Sequence, residues 1–246
     1  MISLAAAALT LMCAAGPAAA EATGAAPAAI LAEADRLYLH RDQGSNLSAA
    51  VVLLEERARV ADADPQVLWR LGRCLVRQGE LRADRVGKLA VYARAEEVLR
   101  RAVDLAPREA DAHYWLGIAM GRRGETRGIL RSLFLIGPLR REMRTVLELD
   151  SQNGGAHHVL GEMLREIPAF AGGDKKAAAR ELETAARLEP DEAAHFTALA
   201  RAYLDLGRPD QARAVLEHVF TIRSPADPGE YAEDVLDARE MLKKLR

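Results

Sequence analysis

Asp111-Ala-His-Tyr-Trp-Leu-Gly117 returns further along the chain as Gly155-Ala-His-His-Val-Leu-Gly161, with Ala112/Ala156, His113/His157, Leu116/Leu160 and Gly117/Gly161 in register. A shorter copy precedes it, Leu68-Trp-Arg-Leu-Gly72, and another comes later, Phe196-Thr-Ala-Leu-Ala200. Self-similarity at a spacing of tens of residues marks stacked units, each too small to bury its own apolar face. The rest of the 246-residue chain agrees: it is rich in Ala, Leu, Arg and Glu, has 4% aromatic residues, and reads as helix almost throughout. Lys and Arg number 34 against 36 Asp and Glu, a formal net charge of −2. No global drive towards nucleic acid or an anionic membrane results from that balance.

Residues 1–20 carry no charged side chain, Ile2 to Met12 is an apolar run, and Ala18-Ala-Ala20 before Glu21 is a small-x-small cleavage site. This reads as a secretory signal peptide, too short for a membrane span, and implies export to the periplasm. No Lys or Arg follows Met1, so the true start is expected upstream. Cys13 opens a second route, an envelope lipoprotein anchored there, although Thr10 and Met12 make a poor lipidation signal. Residues 21–27 form a small-residue linker, and the repeat domain covers 28–246. With Cys13 removed, Cys74 is the only cysteine, which excludes an internal disulfide and a cysteine-based zinc site. Its place between Leu71 and Leu75 suits a small buried hydrophobe.

The first hairpin runs from Ala28, through the turn at Gly44-Ser-Asn46, to about Ala61, where Asp62-Ala-Asp-Pro65 stops it. The next unit reads Leu68-x-x-Leu71-Gly72-x-x-Leu75, then Ala95, Leu99, Ala102 and Pro107. This series resembles the tetratricopeptide repeat: a large residue, Leu, Gly or Ala and a second large residue on the first helix, then small, large, small and Pro on the second. The small residues let the paired helices approach, and the large ones fill the neighbouring hole. His113, Leu116, Gly117, Met120, Leu139, Met143, Val146 and Ser151 form the third unit. His157, Leu160, Gly161, Leu164, Ala178, Leu182, Ala185 and Pro190 form the fourth, and Phe196, Leu199, Ala200, Tyr203, Ala212, Leu216 and Val219 the fifth. Residues 229–246 supply a charged amphipathic helix to cap the last apolar face. The expected fold is therefore all-α: a tetratricopeptide-repeat right-handed superhelix of about five hairpins, with expanded repeats and a C-terminal capping helix.

The second to fourth units exceed the ~34-residue repeat, and the excess is expected between their two helices. Gly128-Ile-Leu-Arg-Ser-Leu-Phe-Leu-Ile-Gly-Pro138 is the most apolar insertion; Ile129, Leu130, Leu133 and Phe134 suit one helical face, with Gly137-Pro138 breaking the helix. That face packs on the array, joins two copies of the chain, or docks a partner. In the fourth unit Pro168 ends a helix, Gly172-Gly173 permit a turn and Asp174 caps the helix beginning at Lys175. Gly172-Gly-Asp-Lys-Lys176 lacks the spacing and Lys-Ser/Thr ending of a phosphate loop, so no nucleotide is expected.

Asp111 to Ala212 resembles the tetratricopeptide T-component family associated with TRAP-type periplasmic transporters. The carrying residues are His113-Tyr-Trp-Leu-Gly117, Ser132-Leu-Phe-Leu-Ile-Gly-Pro138, Gly154-Gly-Ala-His-His158 and Phe170-Ala-Gly-Gly-Asp174. That resemblance implies a periplasmic helper contacting a solute-binding protein. A related resemblance is to the animal regulator of microtubule dynamics family, which shares expanded repeats, although the signal peptide argues against a microtubule role.

No catalytic set, cofactor site or metal site is expected. His-Glu-x-x-His and Gly-x-Ser-x-Gly are absent from the sequence, and the adjacent His157 and His158 point about 100° apart on a helix. His113 and His157 hold equivalent packing positions. The candidate binding surface is the concave groove, lined by first-helix positions: Trp69, Tyr114 and His158 at one, Arg73 at the next, then Arg77 and Arg122 at a third, with Arg165 at the position just before it. An aromatic row beside arginines would receive an extended peptide and hold a carboxylate. The sequence thus points to a non-enzymatic protein-interaction scaffold, either an accessory component of a TRAP-type transporter or a general scaffold for envelope assembly or quality control. A peptidoglycan-acting or metal-dependent hydrolase would need polar residues converging in one pocket.

Overall fold

The structure is a computed structural model and describes residues 27–60, 64–128 and 133–245. The signal peptide, most of the linker, Cys13 and residues 129–132 lie outside those bounds. Eleven α-helices and two short 3-10 turns succeed one another, and no strand occurs among the described residues. The helices are α1 (Pro27–Leu39), α2 (Asn46–Val60), α3 (Pro65–Glu80), α4 (Arg85–Leu105), α5 (Ala110–Arg127), α6 (Ile136–Leu149), α7 (Gly154–Glu166), α8 (Lys175–Leu188), α9 (Ala193–Asp205), α10 (Pro209–Val219) and α11 (Pro228–Lys244). Consecutive helices pair into five hairpins, α1/α2 to α9/α10, and α11 packs on the last of them.

Local chemistry sets the helix starts. Asp64 accepts a hydrogen bond from the Gln66 backbone N–H at 2.9 Å, with Pro65 in the first turn of α3. Asp174 accepts from Lys176 and Ala177 at 2.9 and 3.0 Å, capping α8 as its sequence implies. Just before it, Gly172 takes φ +97°, and a Cβ on Gly173 would stand 1.8 Å from the Ile167 carbonyl oxygen. The turn requires both glycines.

The repeat packing obeys one rule. A Cβ on Gly72 would lie 2.3 Å from Leu99 Cγ, on Gly117 2.4 Å from Met143 Cε, and on Gly161 2.6 Å from Leu182 Cγ. Each glycine therefore admits the large side chain of its own hairpin partner, and Leu99, Met143 and Leu182 are fully buried. His113 and His157 add a second rule: their Nδ1 atoms lie 2.7 Å from carboxylates of Glu142 and Glu181, again one helix on. Cys74 is fully buried, and burial pushes its thiol up to about 11.

Three expectations need correction. In the second unit the extra residues are not an inter-helix insertion; they lengthen α4, whose early Tyr92 fills the space beside Gly79. Gly137-Pro138 does not break a helix but lies in the first turn of α6, where a missing N–H costs nothing. Leu133 and Phe134 belong to a 3-10 turn, and Phe134 stands 84% exposed, so they do not share a packed helical face. The partner residues Ile129 and Leu130 lie outside the described residues.

Candidate protein-binding groove

The first helices α3, α5, α7 and α9, with side chains from α4 and α6, line a concave cavity of about 1220 Å³. Its walls carry Arg77, Glu80, Tyr92, Arg122, His158, Glu162, Thr197 and Arg201, and α11 closes one side with Glu230 and Asp234. Opposite charges alternate on these walls. Arg122 donates to Glu80 at 2.8 Å and to Glu125 at 3.3 Å, and its side chain remains 43% exposed. Burial favours the neutral form of Glu80, yet Arg77 and Arg122 outweigh it and hold the carboxyl below its ordinary range.

Of the expected groove residues, Arg77, Arg122 and His158 line the cavity. His158 Nδ1 lies 3.0 Å from His195 Nδ1, and His195 Nε2 lies 2.9 Å from Glu189. Burial, then His195 and the nearby arginines, pull the His158 pKa down to about 3. A neutral imidazole is thereby presented to the groove.

Trp69, Arg73, Tyr114 and Arg165 are placed otherwise. Trp69 is buried, donates to Gln66 at 3.0 Å, and lies against Arg70 and Arg73, whose guanidinium carbons are 4.1 and 5.1 Å from its ring centroid. Arg73 is tied to Asp35 at 2.5 Å and stacks on Tyr38 at 3.8 Å. Tyr114 does not turn into the cavity: it meets Trp115 edge-on at 5.4 Å and rests against Gly155, where only a glycine leaves room. Arg165 is held by Glu162, Glu166 and Asp205. The aromatic row is thus real but closed. Large π faces and guanidinium planes gain more by stacking on each other than by facing water.

The residues that sequence reasoning missed lie on α11 and across from it. Asp227 Oδ1 caps α11 while its Oδ2 accepts from Arg41 at 2.6 Å, joining residues near opposite ends of the chain. Glu230 pairs with Arg41 at 3.3 Å and with Arg77, and Arg77 also bonds Glu80 at 3.0 Å and the Tyr38 hydroxyl at 3.1 Å. Arg201 pairs with Asp237. The available signal was periodicity: Asp227, Glu230, Asp234 and Asp237 recur at helical spacing.

Two carboxyls of this cluster are pushed up to about 7. For Asp234 the cause is burial, then Glu230, Asp237 and Asp227, against Arg201. For Glu192 it is burial, then Asp227, Asp234 and Glu230, against the Ala194 N–H. Their folded pKa values exceed the unfolded ones, so the folded state retains protons that the unfolded chain has lost. Stability from these groups is complete at low pH and is lost as pH rises from about 4 through 7. His158 acts oppositely below its ordinary 6.5. Comparison with the Asp234→Asn/Glu192→Gln variant separates the two: the variant should melt above the wild type at pH 8, with the gap much narrower at pH 5 and closing below about pH 4. An equal gap at both pH values would contradict the assignment.

Stacked helical hairpins with interlocked small and large positions define a tetratricopeptide-repeat solenoid, a fold of protein–protein interaction. The tetratricopeptide-repeat profile matches residues 169–221. The profile of regulator of microtubule dynamics protein 1-3 matches residues 30–179, and the chain belongs to that family. Regulator of microtubule dynamics protein 3 of Bos taurus is 24% identical over 149 residues, covering 61% of this chain and 31% of the relative. The chain therefore spans less than a third of that protein. A thermophilic TPR protein of Thermus thermophilus has the same fold, with a TM-score of 0.66 at 20% identity over 87% of this chain and 97% of that one. MamA of Desulfovibrio magneticus scores 0.47 at 18% identity, covering 86% and 97%. Neither family describes an enzyme. Among the described residues no group of three or more His, Cys, Asp or Glu is arranged to hold a metal, and no helix is long and apolar enough to cross a membrane.

Proposed function

We propose that the protein is a non-enzymatic interaction scaffold of the cell envelope that binds a protein partner in its concave groove. The observation that carries this reading is the charged cavity of about 1220 Å³, built from first helices of successive repeats. Such a wall can present several fixed charges to one extended partner, and rigid positioning limits the entropy lost on binding. The leader-like residues 1–20 support export to the periplasm, with an anchor at Cys13 as the alternative attachment. The specific partner proposed is the solute-binding protein of a TRAP-type transporter, on the resemblance of Asp111 to Ala212. An envelope assembly or quality-control client is the alternative. The microtubule role in the name of the bovine relative belongs to a protein of which this chain covers 31%, and it is not carried over.

A photo-crosslinking residue placed at Arg122, in cells of the native host, tests the reading. A solute-binding protein in the crosslinked band is expected, and a competing general client would appear as several envelope proteins. A label that reaches no protein from the groove position, yet does so from exposed surface positions, would overturn it.

A further inference from the structure

Helix α11 is held on two sides for different physical reasons. On one side Ala238 and Met241 are buried, and Tyr231, Val235 and Leu242 pack with them against the last hairpin. The Tyr231 hydroxyl donates to the carbonyls of Val219 and Ile222 at 2.9 and 3.1 Å. This side is the ordinary cap of a solenoid.

The other side is not a cap. Its carboxylates reach across the groove to the opposite end of the superhelix, where Asp227 and Glu230 meet Arg41 and Arg77. The side chains of those arginines are only 6% and 16% exposed. Guanidinium groups withdrawn so far from water are costly without carboxylate partners, so anything replacing the start of α11 must itself bring carboxylates. Arginine forks with two acceptors set the geometry as well as the charge. Further along the same acidic stripe, Asp234 Oδ2 is buried without a hydrogen-bond partner, and Glu192 adds a further carboxyl beside it. The helix brings more negative charge than the arginines opposite can neutralise, which favours its exchange for a better-matched segment.

We propose that Arg41 and Arg77 are a receptor site for an acidic segment of the protein partner, and that the start of α11 fills this site in the free protein. The proposal rests on the scaffold reading and names the chemistry of the partner. Release needs only the charged contacts to part, because the apolar side of α11 holds the helix to α9 and α10 independently.

The test uses the full chain and a fluorescein-labelled decaglutamate peptide, monitored by anisotropy at low ionic strength, where such contacts are least screened. Asp227→Asn/Glu230→Gln keeps an oxygen to cap α11 and should bind the peptide about tenfold more tightly than the wild type, as expected when a competing charge is removed. Adding Arg41→Gln should abolish the gain. Glu97→Gln/Glu217→Gln, which removes the same net charge at exposed sites, should bind as the wild type does. Equal gains in this control, or a gain that survives Arg41→Gln, would overturn the proposal. Hydrogen exchange provides a readout without substitution: saturating peptide should speed exchange of the 229–234 amides in the wild type, and unchanged exchange would count against the site. Crosslinking from Arg122 separates this failure from that of the scaffold. A captured partner that decaglutamate does not displace leaves the scaffold standing and removes the acidic-segment site. Peptide binding as described, with no captured partner, does the reverse.

Discussion

Arg77→Gln lowers the free energy of unfolding by about 3–5 kcal/mol, the cost of taking one partner from a buried ion cluster. Arg77 touches Glu80, Glu230, Asp227 and the Tyr38 hydroxyl at once, with 16% of its side chain exposed. Its loss leaves Glu230 facing other carboxylates, with Arg41 as its remaining close cation at 3.3 Å. The remedy distinguishes charge from packing. Arg77→Met/Glu230→Met removes both ends, while Glu80 keeps Arg122 and Asp227 keeps Arg41. The double variant should recover most of the loss, because an apolar pair of similar volume commonly matches a buried ion pair in stability. Urea unfolding monitored by helical circular dichroism measures both. If the single variant costs less than about 1 kcal/mol, the value typical of an exposed pair, the link between the chain ends is not holding the fold.

Gly72→Val should cost about 3 kcal/mol, at the upper end for overpacking a filled core. A Cβ there would lie 2.3, 2.5 and 2.8 Å from three side-chain carbons of Leu99, which is fully buried and has nowhere to move. The α3/α4 hairpin would have to open, and with it the first apolar cluster that runs from α1 to α5. Leu99→Ala alone should cost about 2–5 kcal/mol through the cavity it leaves. Combined with Gly72→Val it should cost less than the sum, because the valine fills part of that cavity. Strict additivity in thermal or urea melts would show that the two residues do not share one space.

The hairpin order was legible because the same small–large exchange recurs in three successive units. Gly72/Leu99, Gly117/Met143 and Gly161/Leu182 satisfy one local packing condition, and three instances of it identify themselves in a one-dimensional string. The groove was legible in part. Arg77, Arg122 and His158 line it because their register in the repeat fixes their direction. Trp69 and Tyr114 share the corresponding register but are drawn into stacks with Arg70, Arg73 and Trp115 of their own helices, and Tyr38 of α1 meets both Arg73 and Trp115, a contact between helices that register alone does not rank.

The sequence by itself determined the repeat, the helical class and the residues that cap and turn the chain, since each depends on neighbours within one hairpin. Only the tertiary structure decided that α11 closes the groove. The superhelix accumulates a small rotation at every repeat, and that sum brings Asp227 to Arg41 across a sequence separation of 186 residues. The acidic stripe of α11 could be read from its spacing, but which arginines it would meet depended on the path of the whole solenoid.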